Sequence, residues 1–509
     1  MISAVAWIPK GVAKSKPDRT VLTAEELEEL KNQVGSDGEW EEADSADEDA
    51  SSSEEDEVAK AMEVAQSVKE AAARPAPGAG DLAAAMAELD MDRYDEESDG
   101  EGAAAARLLG AGNPGQAYYA NPAADPYLGD KGDSESESGS EADAEELSAS
   151  DVLIMAARNE DDVSNLEVWV YEEADERGPG NLYVHHSLLL PAFPLSVAWL
   201  DLCPGGAARR NLAAVGSFEP GIELWDLDRL DAVEPVATLG GADYEATRLA
   251  DARRKKKGKK KGKKGRAAPD VEVRPGSHTD AVLGLAWNRE FRNVLASASA
   301  DHCVKVWDVG TGACSATLQH HSSKVQAVAW NPVEHAVLLS GGFDRRAVIA
   351  DVRAGEGAAG RGWSVPADVE AVTWDPFSPT CFAVASEDGG VCTYDARAGE
   401  GAAPLWTLRA HAKAACALDH CPAVAGLVLT ASTDKQVKLW NTRGQQPVQL
   451  ASQDLGVGAV FSASFCRDQP LLVAAGGALG TVAVWDAAVE AAVAELAGVT
   501  ARQPTAVEE

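Results

Sequence analysis

No two of the eight cysteines stand in a C-x-x-C pair, and none shows metal-ligand spacing. Nothing therefore points to a zinc module or a redox dithiol, and no metal or cofactor is expected. The thiols of Cys203, Cys303, Cys314, Cys381, Cys392, Cys416, Cys421 and Cys466 are read as free, which fits a reducing compartment. Three of them (Cys303, Cys381 and Cys392) fall in apolar strand runs, where a thiol behaves as a small hydrophobe. No apolar run approaches the length of a membrane span, and the N-terminus lacks a signal-peptide core. A soluble, intracellular protein that binds no membrane is expected. A phosphate-cradling glycine loop and an isolated nucleophile beside a base are also missing, so no enzyme and no small-molecule substrate are expected. Aromatic and β-branched residues are scarce in one long stretch. Residues 21–150 hold 36 Asp and Glu against 7 Lys and Arg. Such a stretch cannot bury enough apolar surface to offset its ordering entropy, so disorder is expected there and the folded mass should begin near Asp151.

What is present is a period. Strand-like runs close at VKVWD (Trp307), VIAD (Ala350), VCTYD (Tyr394), VKLWN (Trp440) and VAVWD (Trp485), spaced 43, 44, 46 and 45 residues apart. A second landmark precedes them in SVAWL (Trp199), LAWN (Trp287), VAWN (Trp330) and VTWD (Trp374), with Leu418 and Phe465 as weaker equivalents. Repeats of this length mark units of four short strands that cannot bury their faces alone. Between the landmarks, NVLASASAD, HAVLLSGGFD, CFAVASED and LVLTASTD end in Asp301, Asp344, Asp388 and Asp434. An aspartate there favours a tight turn, because its carboxylate accepts from the turn's own backbone. A fourth, outer run is expected after each closing residue. Two more divergent units close at Trp169 and Trp225, which makes seven.

These residues resemble WD-repeat β-propellers. The fold class expected is therefore all-β, a seven-bladed WD-repeat β-propeller with a long disordered acidic N-terminal segment and a Lys-rich loop insertion. In that family a His, a Ser or Thr, the turn Asp and the closing Trp form a buried cluster. His278, Ser297 or Ser299, Asp301 and Trp307 match it in full, and His411, Ser432, Asp434 and Trp440 nearly so. His321 and Asp344 keep half of it, with Ala350 in place of the tryptophan. With Asp388 and Trp485 these residues are read as blade structure. The His–Ser–Asp grouping resembles a hydrolase triad, but its residues recur blade after blade and a nucleophile is needed only once.

The first unit lacks an innermost strand immediately upstream, where only acidic sequence stands. Ser3-Ala4-Val5-Ala6-Trp7-Ile8-Pro9 parallels Gln326-Ala327-Val328-Ala329-Trp330-Asn331-Pro332. One reading makes residues 1–10 the missing strand, with residues 11–150 a long loop within that blade; the other makes them an independent docking peptide. The propeller is placed at 151–495 and a tail at 496–509.

The step from Trp225 to Trp307 is 82 residues and contains a run from Arg253 to Arg266 in which 11 of 14 residues are basic: Arg253, Arg254, Lys255, Lys256, Lys257, Lys259, Lys260, Lys261, Lys263, Lys264 and Arg266. Like charges at this density cannot pack into a blade, so residues 241–275 are read as a projecting loop. It suits a nuclear or nucleolar address, a phosphate-contacting arm, or a solvated loop. Aromatic residues do not interleave with it, so base stacking is not suggested. In the acidic segment Ser51, Ser52, Ser53, Ser134, Ser136 and Ser138 precede acids and are candidate phosphorylation sites. That segment suits binding of basic partners or a solubilising linker. Asp81–Glu97, with apolar residues at helical spacing, is a stretch a partner could order.

Across nearly its whole length the chain resembles the periodic tryptophan protein 1 family, through AVAWIPKGVAKSKPD, LDMDRYDEE, NLEVWVYEE, YVHHSLLLPAFPLSVAWL, ELWDLDRLDAVEPV, the Lys-rich insertion and HTDAVLGLAWNREFRNVLASASAD. The last blade departs, with GGALGTVAVWD lacking the turn Asp. The resemblance implies a nucleolar, nuclear ribosome-biogenesis scaffold acting on early large-subunit precursors, with pre-ribosomal proteins and pre-rRNA as partners. Two rival readings are a chromatin or histone-binding propeller and a ubiquitin-ligase substrate receptor. The second rests on the Asp-x-Arg closings Asp351–Arg353 and Asp395–Arg397.

Overall fold

Seven times along the chain an innermost strand carries a one-residue bulge early in its pairing. It falls at Ile2/Ala4, Pro194/Ser196, Val282/Gly284, Val325/Ala327, Val369/Ala371, Ala415/Ala417 and Val460/Ser462. A bulge bends and over-twists a strand, and here it recurs where each blade meets the ring. In the computed structural model the described residues are 1–19 and 146–502, except 149, 162, 174–179, 207–208, 244–272 and 356–359. The chain divides into one unit of Met1–Val21 with Gly139–Glu509 and a second of Leu22–Ser138. The second lies outside the described residues. The basic run Arg253–Arg266, the six candidate serines, Asp81–Glu97 and the end of the tail lie outside them too.

Blade 1 consists of Ile2–Ile8, Val152–Glu160, Val163–Glu172 and Asn181–Leu190, in that order from the centre. The N-terminal strand is thus the innermost strand of a sheet whose other members begin 150 residues later. Its residues pair antiparallel with the second strand from Ile2↔Arg158 to Ile8↔Leu153. Blade 2 is Pro194–Leu200, Leu212–Ser217, Gly221–Asp226 and Ala237–Gly240. Blade 3 is Val282–Trp287, Val294–Ser299, Val304–Asp308 and Ala313–Leu318, and blade 4 is Val325–Trp330, Val337–Gly342, Arg346–Asp351 and Arg361–Ser364. Blade 5 is Val369–Asp375, Ser378–Ser386, Gly390–Asp395 and Trp406–Arg409, and blade 6 is Ala415–His420, Leu427–Ser432, Val437–Asn441 and Val448–Gln453.

Blade 7 has three strands, Val460–Phe465, Leu472–Gly477 and Val482–Asp486. This corrects the expectation of a fourth run after every closing residue. Asp486 instead caps a 3-10 turn, accepting from Ala488 N, and a helix follows over Ala491–Ala497. Val493 is fully buried in the apolar cluster that also holds Trp485 and Ala487, and the helix packs beside the outer strand of blade 6. The segment AAVAELA is alanine-rich and lacks β-branched alternation, which favours helix over strand.

The innermost strands all run in one direction. Ser3 near the start of the first bonds to Pro194 at the start of the second, and Trp7 near its end bonds to Ser464 at the end of the seventh. Connections from first to second strands and from third to fourth therefore share one face, called lower here. Second-to-third turns and blade-to-blade connections share the upper face. The tryptophans ending the innermost strands stitch neighbours together. Trp330 Nε1 donates to Ala286 O at 2.9 Å and Trp374 Nε1 to Ala329 O at 3.2 Å, each reaching the preceding blade. Asn288 and Asn331 reach forward, donating from Nδ2 to His335 O at 2.6 Å and Pro379 O at 2.7 Å. Between neighbouring blades lie apolar clusters, such as the one that joins Leu200 and Leu224 of blade 2 to Val282 and Trp307 of blade 3. Trp225 and Trp307 are at most 1% exposed, and burying a large apolar side chain fully is worth roughly 1.5–3 kcal/mol.

Candidate functional site

At each repeated turn the aspartate folds onto its own backbone. Asp301 Oδ1 accepts from Cys303 N at 2.9 Å, Asp344 from Arg346 N at 3.2 Å, Asp388 from Gly390 N at 3.0 Å and Asp434 from Gln436 N at 3.0 Å. The residue between is left-handed: His302 at φ 68°, Arg345 at 58°, Gly389 at 81° and Lys435 at 73°. Asp301, Asp344 and Asp434 also accept from the N–H of Thr279, Ser322 and Ala412, each just after a blade's entry histidine. One carboxylate thus ties the entry of a blade to its second turn.

In blade 3 the cluster is a directed chain. A carboxylate only accepts, so His278 Nδ1–H donates to Asp301 at 2.8 Å. The Ser297 hydroxyl then donates to His278 Nε2 at 2.7 Å, and Trp307 Nε1 donates to Ser297 Oγ at 2.9 Å. Of the two candidate serines, Ser297 is the member; Ser299 instead bonds Asp280 O and Asp301 N. Burial by itself would raise the Asp301 carboxyl, but the bonds from His278, Cys303 and Thr279 outweigh it and hold it at about 2. Ser297 is fully buried and its oxygen faces Trp307, so no substrate carbonyl can reach it.

Blade 6 repeats the chain with one correction. Thr430, not Ser432, is its hydroxyl: His411 Nε2 lies 2.8 Å and Trp440 Nε1 2.9 Å from Thr430 Oγ1. Ser432 bonds Lys413 O instead. Side chains alternate along a strand, so the member sits two residues before Ser432, as Ser297 does before Ser299. In blade 4, His321 joins Asp344 at 3.0 Å and Ser340 at 2.9 Å. With Ala350 at the closing position, the third bond to the hydroxyl comes from His320, whose Nε2 lies 3.1 Å from Ser340 Oγ. Burial, with His321 beside it, lowers His320 to about 4. The sequence showed the missing tryptophan there but not its replacement.

Elsewhere the cluster dissolves. Asp388 in blade 5 accepts from Ser386 at 2.6 Å with no histidine, and Tyr394 sends its hydroxyl to Ser364 O at 3.0 Å. Trp169 and Trp225 turn to a glutamate two residues back, Glu167 at 2.9 Å and Glu223 at 3.0 Å. Trp485 is buried against the C-terminal helix. Arg353 and Arg397 lie flat on Asp351 and Asp395 at 2.6 and 2.8 Å, mostly exposed on the lower face. Among the described residues no group of three or more His, Cys, Asp or Glu is placed to hold a metal ion, and no helix is long and apolar enough to cross a membrane.

The described residues that flank the two charged insertions lie on opposite faces. Those flanking the acidic one are on the lower face. Asp18–Arg19 pairs with Arg229–Leu230 between the third and fourth strands of blade 2, and Leu147 N returns to Ser15 O at 2.8 Å. Those flanking the basic one are on the upper face, joined by an Ala242↔Val273 bridge and by Ser277 Oγ accepting from Gly241 N at 2.8 Å. The lower face also exposes Phe291, Val333 and Phe377 by about half, in the loops that follow the innermost strands of blades 3, 4 and 5.

The WD domain, G-beta repeat family matches residues 273–308, 312–351 and 402–441. Those are the three blades in which His, hydroxyl and Asp meet. Over a 530-residue alignment the chain is 32% identical to periodic tryptophan protein 1 of Saccharomyces cerevisiae, covering 96% of this chain and 88% of that one. An uncharacterized WD repeat-containing protein of Schizosaccharomyces pombe is 37% identical over 405 residues, 78% of this chain and 73% of that one. The periodic tryptophan protein 1 homolog of Drosophila melanogaster is 28% identical over 478 residues, 94% and 91% of the two chains. The likeness spans propeller and acidic segment alike, and on it this chain belongs to the periodic tryptophan protein 1 family.

Proposed function

We propose that this protein is a non-enzymatic ribosome-biogenesis factor, a scaffold for assembly of early large-subunit pre-ribosomes and for pre-rRNA processing in the nucleolus. The observation that carries the reading is the 96% span of its likeness to the yeast protein, too long to omit the acidic segment. The anchoring of the insertions agrees with it. Acidic residues suit basic proteins and basic residues suit RNA phosphates, and the described residues flanking the two segments lie on opposite faces. The recurrent His–hydroxyl–Asp chains are buried blade fasteners, which leaves the propeller as a holder of partners.

The test is crosslinking of the tagged protein to RNA in its own cells, beside a variant with Lys255–Lys264 neutralised. Fragments concentrated in large-subunit precursor rRNA and lost in the variant are expected. Recovery of nucleosomes without rRNA would replace this reading with a chromatin-binding one and leave the basic run as an address.

A further inference from the structure

Five residues past the first residue of each bulge, the innermost strands of blades 1 to 5 carry Trp7, Trp199, Trp287, Trp330 and Trp374. Trp7, Trp330 and Trp374 donate from there to the preceding blade. In blade 6 that register position is His420 and not Leu418, the counterpart expected from the sequence. His420 takes up no such bond. Its Nδ1 and Thr393 Oγ1 of blade 5 have no hydrogen-bond partner among the described residues, and the two side chains are buried, at 9% and 7% exposure.

An imidazole fills less space than an indole, and a cavity of about 320 Å³ lies here between blades 5 and 6 on the lower side. Asp375, Phe382, Thr393, Leu405, Trp406 and His420 line it. The cavity between blades 3 and 4 holds the same place in its repeat. It has Val306, Trp330 and Val352 where this one has Thr393, His420 and Thr442. Three hydrogen-bonding side chains thus replace two valines and an indole. The cleft also carries negative charge. Asp375 has one carboxylate oxygen on Phe377 N at 2.9 Å, and neither Lys nor Arg is among the lining residues. Arg397, whose charge reaches the lining Cys381, lies on Asp395 at 2.8 Å. Arg443, between the lining Thr442 and Gly444, donates from Nε to Ala425 O at 2.7 Å. Burial lowers His420 to about 4, so its ring is uncharged at neutral pH.

We propose that this cleft receives one arginine side chain of a protein partner. A guanidinium carries N–H donors and no acceptor. Those donors match Thr393 Oγ1, the Nδ1 of an uncharged His420 and the Asp375 carboxylate, and the guanidinium plane suits the indole of Trp406. Leu405, 57% exposed, covers the aliphatic stem. A lysine offers only a compact point charge on one nitrogen. A carboxylate or phosphate would meet Asp375 with no cation in the lining to offset it. The inference goes beyond the ribosomal reading and does not depend on it.

The experiment uses the full chain at physiological salt, with a short peptide of serine and glycine around one arginine and one glutamate as probe. A photoreactive diazirine beside the arginine marks where the peptide sits, read by mass spectrometry of the crosslinked fragments. Crosslinks are expected at Leu405–Trp406 and Thr442–Gln445, and about tenfold fewer for a peptide with citrulline in place of arginine. His420→Trp restores the residue of blades 1 to 5 and fills the cleft, so it should abolish these crosslinks and keep the melting temperature. Thr393→Val keeps shape, removes only the unpaired hydroxyl and should reduce them several-fold; it decides the matter if the larger ring disturbs the fold. Equal labelling of these residues in wild type and Thr393→Val, or in wild type and a folded His420→Trp, overturns the proposal. So does labelling indifferent to citrulline, or labelling confined to residues 21–150, which would assign arginine capture to the acidic segment.

Discussion

The indole nitrogen of Trp7 donates to the carbonyl of Ser464 at 3.1 Å, across 457 residues of chain. With Val5 N donating to Ser462 Oγ at 3.1 Å, that bond closes the ring between the last blade and the first. The contact is tight. A side chain on Gly476 would meet Ile2 at 2.5 Å and Val5 at 2.7 Å, where Ile2 is fully buried among Ile154, Ala156 and Ala474.

Removal of residues 1–10 should therefore open the ring, lowering the melting temperature and exposing apolar surface that binds a hydrophobic dye. Gly476→Val should act in the same direction from the opposite side of the seam, since overpacking typically costs about 1–3 kcal/mol. Melting curves unchanged by either alteration would show that the closure contributes nothing to stability.

Trp307 is both a large buried ring and the donor that begins the blade 3 chain. Trp307→Ala should cost roughly 3–5 kcal/mol, read from denaturant midpoints. Thr430→Val, which nearly keeps shape but removes the hydroxyl, should cost less but measurably, because it leaves His411 and Trp440 without their shared partner. Ser432→Ala should cost less than Thr430→Val; the reverse order would contradict the pairing.

His186 and His320 are each held at about 4, below the usual 6.5, chiefly by burial. Between pH 6.5 and 4 the unfolded chain therefore binds more protons than the folded one, so stability is complete above 6.5 and falls as the pH drops toward 4. Each group contributes on the order of 1–3 kcal/mol to that loss. The Asp301 carboxyl, at about 2 against 3.8, loses its contribution only at lower pH. Melting temperature should fall between pH 7 and 5, with a shallower slope in His186→Gln/His320→Gln. Parallel slopes would exclude these histidines as the cause.

If the basic run contacts RNA, affinity should fall steeply with salt, by a slope of about 0.7 for each phosphate neutralised on a single strand. Neutralising Lys255–Lys264 should flatten that slope and weaken different sequences equally. A slope unchanged in the variant would leave the run as an address.

Much of this protein was determined by its sequence alone. A 44-residue period, an aspartate ending each second strand and a tryptophan closing each third are local signals, because a strand's alternation and a turn's chemistry depend on near neighbours. The likeness of Ser3–Pro9 to Gln326–Pro332 is of the same kind. Choices between residues two apart were decided only in three dimensions. Ser297 over Ser299 and Thr430 over Ser432 depend on which hydroxyl faces the histidine brought in from the previous blade's exit. The bonds that close the ring, from Trp7 to Ser464 and from Val5 to Ser462, were likewise decided only in three dimensions. Those residues are distant in the chain and meet only when seven sheets close into a ring, and no local pattern records what the closing strand brings with it.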